Sequence, residues 1–295
     1  MVDDERRRGG TDWPVRALFR IPVAVTVALL GLPRSAVDEI TPAVRAFARA
    51  IAPSPFDGPV ADGDAAVRSL TDQLTAGLES AQAVERPGVL HDMATHPALA
   101  DPGSRDHLIA NAIGLLFQSM DATAGLIGNT LGQLSRDPVL RVLATQDPGT
   151  LAGVLRETLR YDPPVHTTRR YVASPTRLGD ARLAVGDRVV VVLAAGNRDP
   201  AVWDEPERFD SARNAAPDPL TFGIGPHRCP GERLAWEITR AGVRAGLRAG
   251  LADERFWSPC PRIIPSANAR IPEILNRYAS SIRVDPAPVS EEPTP

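Results

Sequence analysis

The sequence is short of what marks a disulfide scaffold, a polyanion-binding protein or a membrane span. Two cysteines in 295 residues are too few for a stapled fold, and a reducing compartment suits that usage. Neither charge is in surplus: 33 basic and 36 acidic side chains leave a formal net charge of −3. Nucleic acid and anionic membranes, which need a basic excess, are therefore poor main partners. Long apolar runs are also missing. The longest near the start, residues 21–32, contains Pro22 and is too short for a bilayer core of about 30 Å. No apolar stretch directly follows the early arginines, as a signal peptide requires. These absences lead us to expect a soluble, cytoplasmic protein.

What the sequence does have is a globular share of apolar residues, 43%, and 29 prolines. The length allows about two domains or one large one. The prolines collect in loops and at the C-terminus, where residues 285–295 carry almost no apolar side chain and are expected to be disordered. Residues 1–12 read as a flexible, frayed start, which leaves 13–284 as the folded domain.

Periodicity places helices over residues 22–33, opened by Pro22 and closed by Gly31 and Pro33, and over 42–52, with Thr41 as N-cap and Pro42 in first position. Further helices are expected at 65–83, 105–134, 151–161 (stopped by Pro163-Pro164) and 231–249. Residues 113–128 are apolar nearly all round and belong in a core. Strand character is confined to 182–193, with a Gly186-Asp187 turn, and to short runs at 269–271 and 282–284. The fold class is mainly α with a few short, late strands and no βαβ alternation.

One loop stands out for chemistry: Phe222-Gly-Ile-Gly-Pro-His-Arg-Cys-Pro-Gly231. Gly223, Gly225 and Gly231 let it fold tightly and present the Cys229 sulfur among backbone N–H groups beside a helix N-terminus, which favours the thiolate. Such a thiolate is a nucleophile or a soft metal ligand. Cys260 reads instead as an inert buried residue. Glu157 and Arg160 share a helix face at i, i+3, and Pro206-Glu-Arg-Phe209 puts Arg208 between that helix and the loop. Taken alone, such a pair is an ordinary helix contact worth a few tenths of a kcal/mol. The four tryptophans read as core or interface aromatics, and Arg228, Arg233 and Arg240 as a solvated face or a docking face for an acidic partner protein.

In this order the motifs resemble those of the cytochrome P-450 family of haem-thiolate monooxygenases, over roughly residues 13–284. The resemblance implies haem b with Cys229 as axial ligand in the loop from Phe222 to Gly231. Arg170 and His227 fall where the family contacts the propionates. Glu157, Arg160 and Arg208 fall at its buried ion-pair network. It also implies insertion of one oxygen atom from O2 into a small apolar metabolite, with electrons from a separate ferredoxin-like partner. The His-Arg-Cys-Pro-Gly loop and the lack of a membrane anchor resemble the bacterial type.

Two departures from the family pattern stand in the sequence. Where its central helix supplies an acid and a threonine for proton delivery, this chain reads Gln118-Ser-Met-Asp-Ala-Thr123. Asp121 matches the acid, or is a carboxylate reaching solvent or a helix partner. Ala122 takes the threonine position, and Thr123 is turned from it by about 100°. Thr123 serves only if the helix is distorted; Gln118, Ser119 or a water are the other candidates. The resemblance also begins near the family's fourth helix, so its N-terminal portion has no counterpart here, and a protein partner covering that region is expected. Two alternatives follow: a non-catalytic scaffold, as some relatives are for glycosyltransferases, or a peroxide-using haem enzyme.

Overall fold

The computed structural model describes residues 1–51, 61–80, 88–97, 104–213, 217–258, 261–264, 266 and 269–274. The expected strand at 282–284, the tail 285–295 and Cys260 lie outside these residues. Ten helices are described: α1 (Val2–Arg8), α2 (Trp13–Leu30), α3 (Val37–Ile51), α4 (Ala61–Ser80), α5 (Val89–Ala94), α6 (Ser104–Arg136), α7 (Pro138–Gln146), α8 (Pro148–Tyr161), α9 (Leu193–Gly196) and α10 (Glu232–Arg248). The described strands form three antiparallel ribbons: β1 (Thr167–Tyr171) with β4 (Arg188–Val192), β2 (Thr176–Leu178) with β3 (Ala181–Leu183), and β5 (Ile263–Ile264) with β6 (Ile271–Pro272).

α6 is the axis of the molecule. Its 33 residues span about 50 Å at 1.5 Å per residue, and the stretch from Thr123 to Leu134 is buried throughout. α10 crosses it through two glycines one turn apart. A Cβ built on Gly242 would lie 2.5 Å from Ile127 Cδ1, and one on Gly246 2.8 Å from Leu131 Cδ1. On the other flank α2 and α3 add Leu18, Val23, Val27, Ile40 and Val44 to the same core.

Four expectations are corrected here. The helix placed at 22–33 begins at Trp13, and the proline that opens it is Pro14, with Pro22 inside. Pro22 removes one helical donor, while its carbonyl accepts Thr26 Oγ1 at 3.0 Å. The C-terminal signal holds: Gly31 is left-handed at φ 83°, and the Leu32 amide donates to the Val27 carbonyl at 3.0 Å. Extended in this way, α2 is long and apolar enough to cross a membrane, yet 67% of it is buried inside the protein. Likewise the helix placed at 42–52 starts at Val37, with Pro42 inside it. Thr41 is not its N-cap, because its hydroxyl donates back to the Val37 carbonyl at 2.7 Å.

The third correction concerns the start of the chain. Residues expected to fray form α1, pinned by Glu5, which is 0% exposed. Arg8, Arg16 and Arg20 reach its carboxylate at 2.8, 2.8 and 3.1 Å, and Arg8 and Arg20 also pair with Asp38 at the head of α3. The expected 182–193 strand is in fact two strands of different ribbons. Gly186 at φ 91° turns the chain between them, and Asp187 Oδ2 accepts the Ala184 amide at 2.7 Å.

Gly242→Val should lower stability by about 1–3 kcal/mol, because the α6–α10 contact has no room for the added methyl groups. A urea midpoint equal to the parent's would show that the two helices can part freely.

Candidate functional site

The site is assembled from α8 outward. Asp147 caps α8 by accepting the Thr150 amide at 2.6 Å, and the helix ends at Tyr161 just ahead of Pro163-Pro164. Its inner face carries Glu157 and Arg160, 3% and 1% exposed. They pair in bidentate fashion, Arg160 Nε to Glu157 Oε2 at 2.9 Å and Arg160 Nη2 to Oε1 at 2.7 Å. Burying such a pair is costly unless the remaining donors are met. Here Arg160 also donates to the carbonyls of Asn197, Pro206 and Arg208, at 3.1, 2.8 and 2.9 Å.

The third member of this network is not the one expected. The Arg208 side chain is 59% exposed and pairs with Glu205 and Asp210; only its carbonyl joins the network. Arg213 takes the place beside Glu157, with Nε 3.2 Å from Oε1, which also accepts the Asp210 amide at 2.9 Å. The signal was an arginine four residues past Phe209, in the irregular stretch that α8 must hold.

Asn197, also missed, links this network to the cysteine loop. Fully buried, it donates to the Leu159 carbonyl and Thr221 Oγ1 at 3.2 and 3.0 Å and accepts the Leu220 amide at 2.7 Å. Thr221 in turn donates to the Leu159 carbonyl at 2.5 Å. The loop therefore leaves α8 at a fixed angle. Gly223 and Gly225 adopt φ 74° and 71°, conformations that favour glycine. The Cys229 amide donates to the Phe222 carbonyl at 2.8 Å, closing the loop just before α10. Cys229 is exposed, unusual for a residue type that is mostly buried. Ile224, five residues earlier in the loop, is 71% exposed, and a Cβ built on Gly225 would meet nothing within 4 Å.

The other expected residues fall on α6, on the loop and on β1. α6 is continuous, so no distortion brings Thr123 round; it lies buried, away from the face. That face carries Leu115, Gln118 and Ala122, of which Leu115 and Gln118 are exposed. Ser119 flanks it, with its hydroxyl 2.9 Å from Thr26 Oγ1. Asp121 is buried on the other flank, where it accepts Ser266 Oγ at 2.5 Å. Burial raises its pKa above 3.8, against the hydrogen bond from Ser266 and the charge of Arg45 on α3. Arg170, on β1, is exposed, and its guanidinium reaches Thr168 Oγ1 and the Arg169 carbonyl. His227 is exposed in a one-turn helix of the cysteine loop. Two roomy cavities, 600 and 290 Å³, adjoin α7 and the 253–258 segment and contain none of these residues.

A sequence model described as Cytochrome P-450 matches residues 150–239, the span that holds the buried pair, Asn197 and the cysteine loop. The chain belongs to the cytochrome P-450 family. It resembles the bacterial type: it is 32% identical over 231 residues to the vitamin D(3) 25-hydroxylase of Pseudonocardia autotrophica, covering 76% of this chain and 55% of that protein. With Protein DesVIII of Streptomyces venezuelae it shares 36% identity over 193 residues, 64% of this chain and 46% of the relative. Among solved structures, CalO2 superposes with a TM-score of 0.77 at 26% identity, covering 93% of this chain and 70% of that one. The chain thus spans about half the length of the curated relatives it matches. The family's P-450 members are generally monooxygenases that hold haem through a cysteine thiolate. The residues here fit such a group: an exposed sulfur, open space over Gly225, an apolar neighbour in Ile224 and exposed cationic side chains.

Two stability measurements check this geometry. Arg213→Ala should cost about 1–3 kcal/mol by stripping a donor from buried Glu157, while Arg208→Ala should stay within about 0.5 kcal/mol; the reverse order would restore Arg208 to the network. The folded chain binds the Asp121 proton more tightly than the unfolded chain does. That stability is full below the unfolded pKa and is lost as pH rises through the folded one. Relative to the parent, the urea midpoint of Asp121→Asn should therefore climb as pH rises above the unfolded carboxyl value of 3.8. A constant difference would mean that burial does not act on this carboxyl.

Proposed function

We propose that this chain carries the haem-thiolate site of a monooxygenase that inserts one oxygen atom from O2 into a small, largely apolar metabolite in the cytoplasm. The observation that carries the proposal is the loop of residues 222–231, closed from the Cys229 amide to the Phe222 carbonyl, with an exposed sulfur at the head of α10. When bound through a cysteine thiolate, haem supplies oxygen activation with O–O cleavage.

The chain's own residues do the rest. Cys229 supplies the sulfur, at the head of α10. Arg170 and His227 pair with the propionates. The buried Glu157–Arg160 pair, with Arg213, keeps the loop from shifting. The α6 face of Leu115, Gln118 and Ala122 orients the substrate, and Asp121 holds a proton at its carboxylate beside Ser266, for Gln118 to pass on. Electrons come from a separate ferredoxin-like protein. The exposed Val190, Val191 and Val192 of β4 leave apolar surface next to the site, which favours a polypeptide that covers it and excludes water.

The Ala122 position favours a second reading, turnover with peroxide, because the face has no hydroxyl at the point where protons are needed. The deciding experiment is the absorption spectrum of the purified chain, reduced and exposed to carbon monoxide. A strongly red-shifted Soret band is expected, and Cys229→Ala should abolish it. A colourless protein, or a band unchanged by the substitution, defeats the assignment and leaves the scaffold reading. With haem in place, Ala122→Thr should raise O2-driven turnover relative to peroxide-driven turnover. An unchanged ratio would count against peroxide use arising from the lost hydroxyl.

A further inference from the structure

The segment that supplies Ser266 to Asp121 also carries a cation that the reading above leaves unused. Four residues on, its backbone is pressed against α6: a Cβ built on Gly125 would lie 2.5 Å from the Arg270 carbonyl oxygen and 3.0 Å from Pro164 Cβ. Gly125 follows Gln118 by seven residues, about two helical turns, and so shares its face. Arg270 thus borders the open face of α6 one turn beyond Ala122.

The Arg270 amide donates to the Pro164 carbonyl at 2.7 Å, which sets the residue beside His166, where the chain enters β1. Its Nη1 lies 3.2 Å from His166 Nε2 and 3.7 Å from Asp162 Oδ1. A guanidinium only donates, so His166 accepts at Nε2 and is neutral in this contact. Burial, together with the charge of Arg270, holds its pKa below the ordinary histidine value. Arg198, the other cation near His166, is committed elsewhere, donating to the Tyr161 carbonyl at 3.2 and 2.6 Å and pairing with Glu207. Arg270 is different. Its side chain is 44% exposed and its carboxylate partner stands 3.7 Å away, beyond hydrogen-bond range; of the five donors in its fork, one is used on His166 among the described residues.

We infer that Arg270, held in place by His166 and Asp162, anchors a carboxylate of the molecule bound against the Gln118–Ala122 face. The inference rests on reading that face as the substrate side, and it narrows the substrate to an apolar acid. The same chemistry is present in a haem propionate. The substrate is the source chosen here because Arg170 and His227 already serve the propionates in that reading.

The test is calorimetric titration of the purified full-length chain with dodecanoate and with methyl dodecanoate, alongside a haem titration. The acid should bind about tenfold or more tightly than the ester, the scale of a charge-assisted, two-point contact. Arg270→Gln should bring the two within about twofold, and Arg270→Lys should keep part of the preference. Equal binding of acid and ester by the parent, or binding of neither, overturns the inference. So does an Arg270→Gln variant that loses haem affinity yet keeps the acid preference, which would assign the cation to a propionate. A parent that prefers the acid but shows no thiolate-haem spectrum would defeat the haem reading alone.

Discussion

The structure depends first on a charge pair placed where charge is least welcome. Glu157 and Arg160 lie almost wholly out of water, and each would carry a desolvation penalty of several kcal/mol if left unmatched. Matching them draws in five positions of the chain between residues 197 and 213. The carbonyls of Asn197, Pro206 and Arg208 take up the spare donors of Arg160, while the Asp210 amide and Arg213 take up Glu157 Oε1. A segment with almost no regular secondary structure is thereby given a single path. Asn197 and Thr221 carry the constraint onward to the turn at Leu220–Phe222, and the position of Cys229 follows from it.

The same solution recurs away from the site. All 33 basic side chains are arginine, with no lysine in the chain. Arginine's planar fork can satisfy several acceptors at once. Three of them converge on buried Glu5 and dock α1 onto α2 and α3. Where the core needs close backbone approach instead, it uses glycine: Gly242 and Gly246 admit α6 to α10, and Gly125 admits the Arg270 backbone to α6.

Much of this was legible in the sequence, for identifiable reasons. α6, α8 and α10 came through because their apolar periodicity and their caps or breakers agree. The cysteine loop was readable because glycine spacing, a lone cysteine and a following helix coincide. The prolines misled. Pro22 and Pro42 look like helix openers, yet burial on both sides extends the helices through them, the packed faces offsetting a cost of about 3 kcal/mol for an interior proline. Sequence order cannot show which of two nearby arginines, Arg208 or Arg213, turns inward. Arg45 and Ser266, which oppose the effect of burial on Asp121, are more than 70 residues away from it in the chain, and no local pattern connects them.

On α6 the geometry separates two jobs that a single turn of helix could combine. Asp121 is turned into the protein, with Ser266 on its carboxylate and Arg45 near enough to act on it. Ala122, one residue on and about 100° round, faces the open side without a polar group of its own. A proton held at Asp121 is therefore kept away from solvent and also away from the face where it would be used. Gln118 is the polar side chain between the two directions, one turn back on the exposed surface. The amide can accept and donate at once, but it is long and flexible where a threonine hydroxyl is short and fixed. In the proposed reading, proton delivery on this face depends on how firmly a bound molecule holds that one side chain in place.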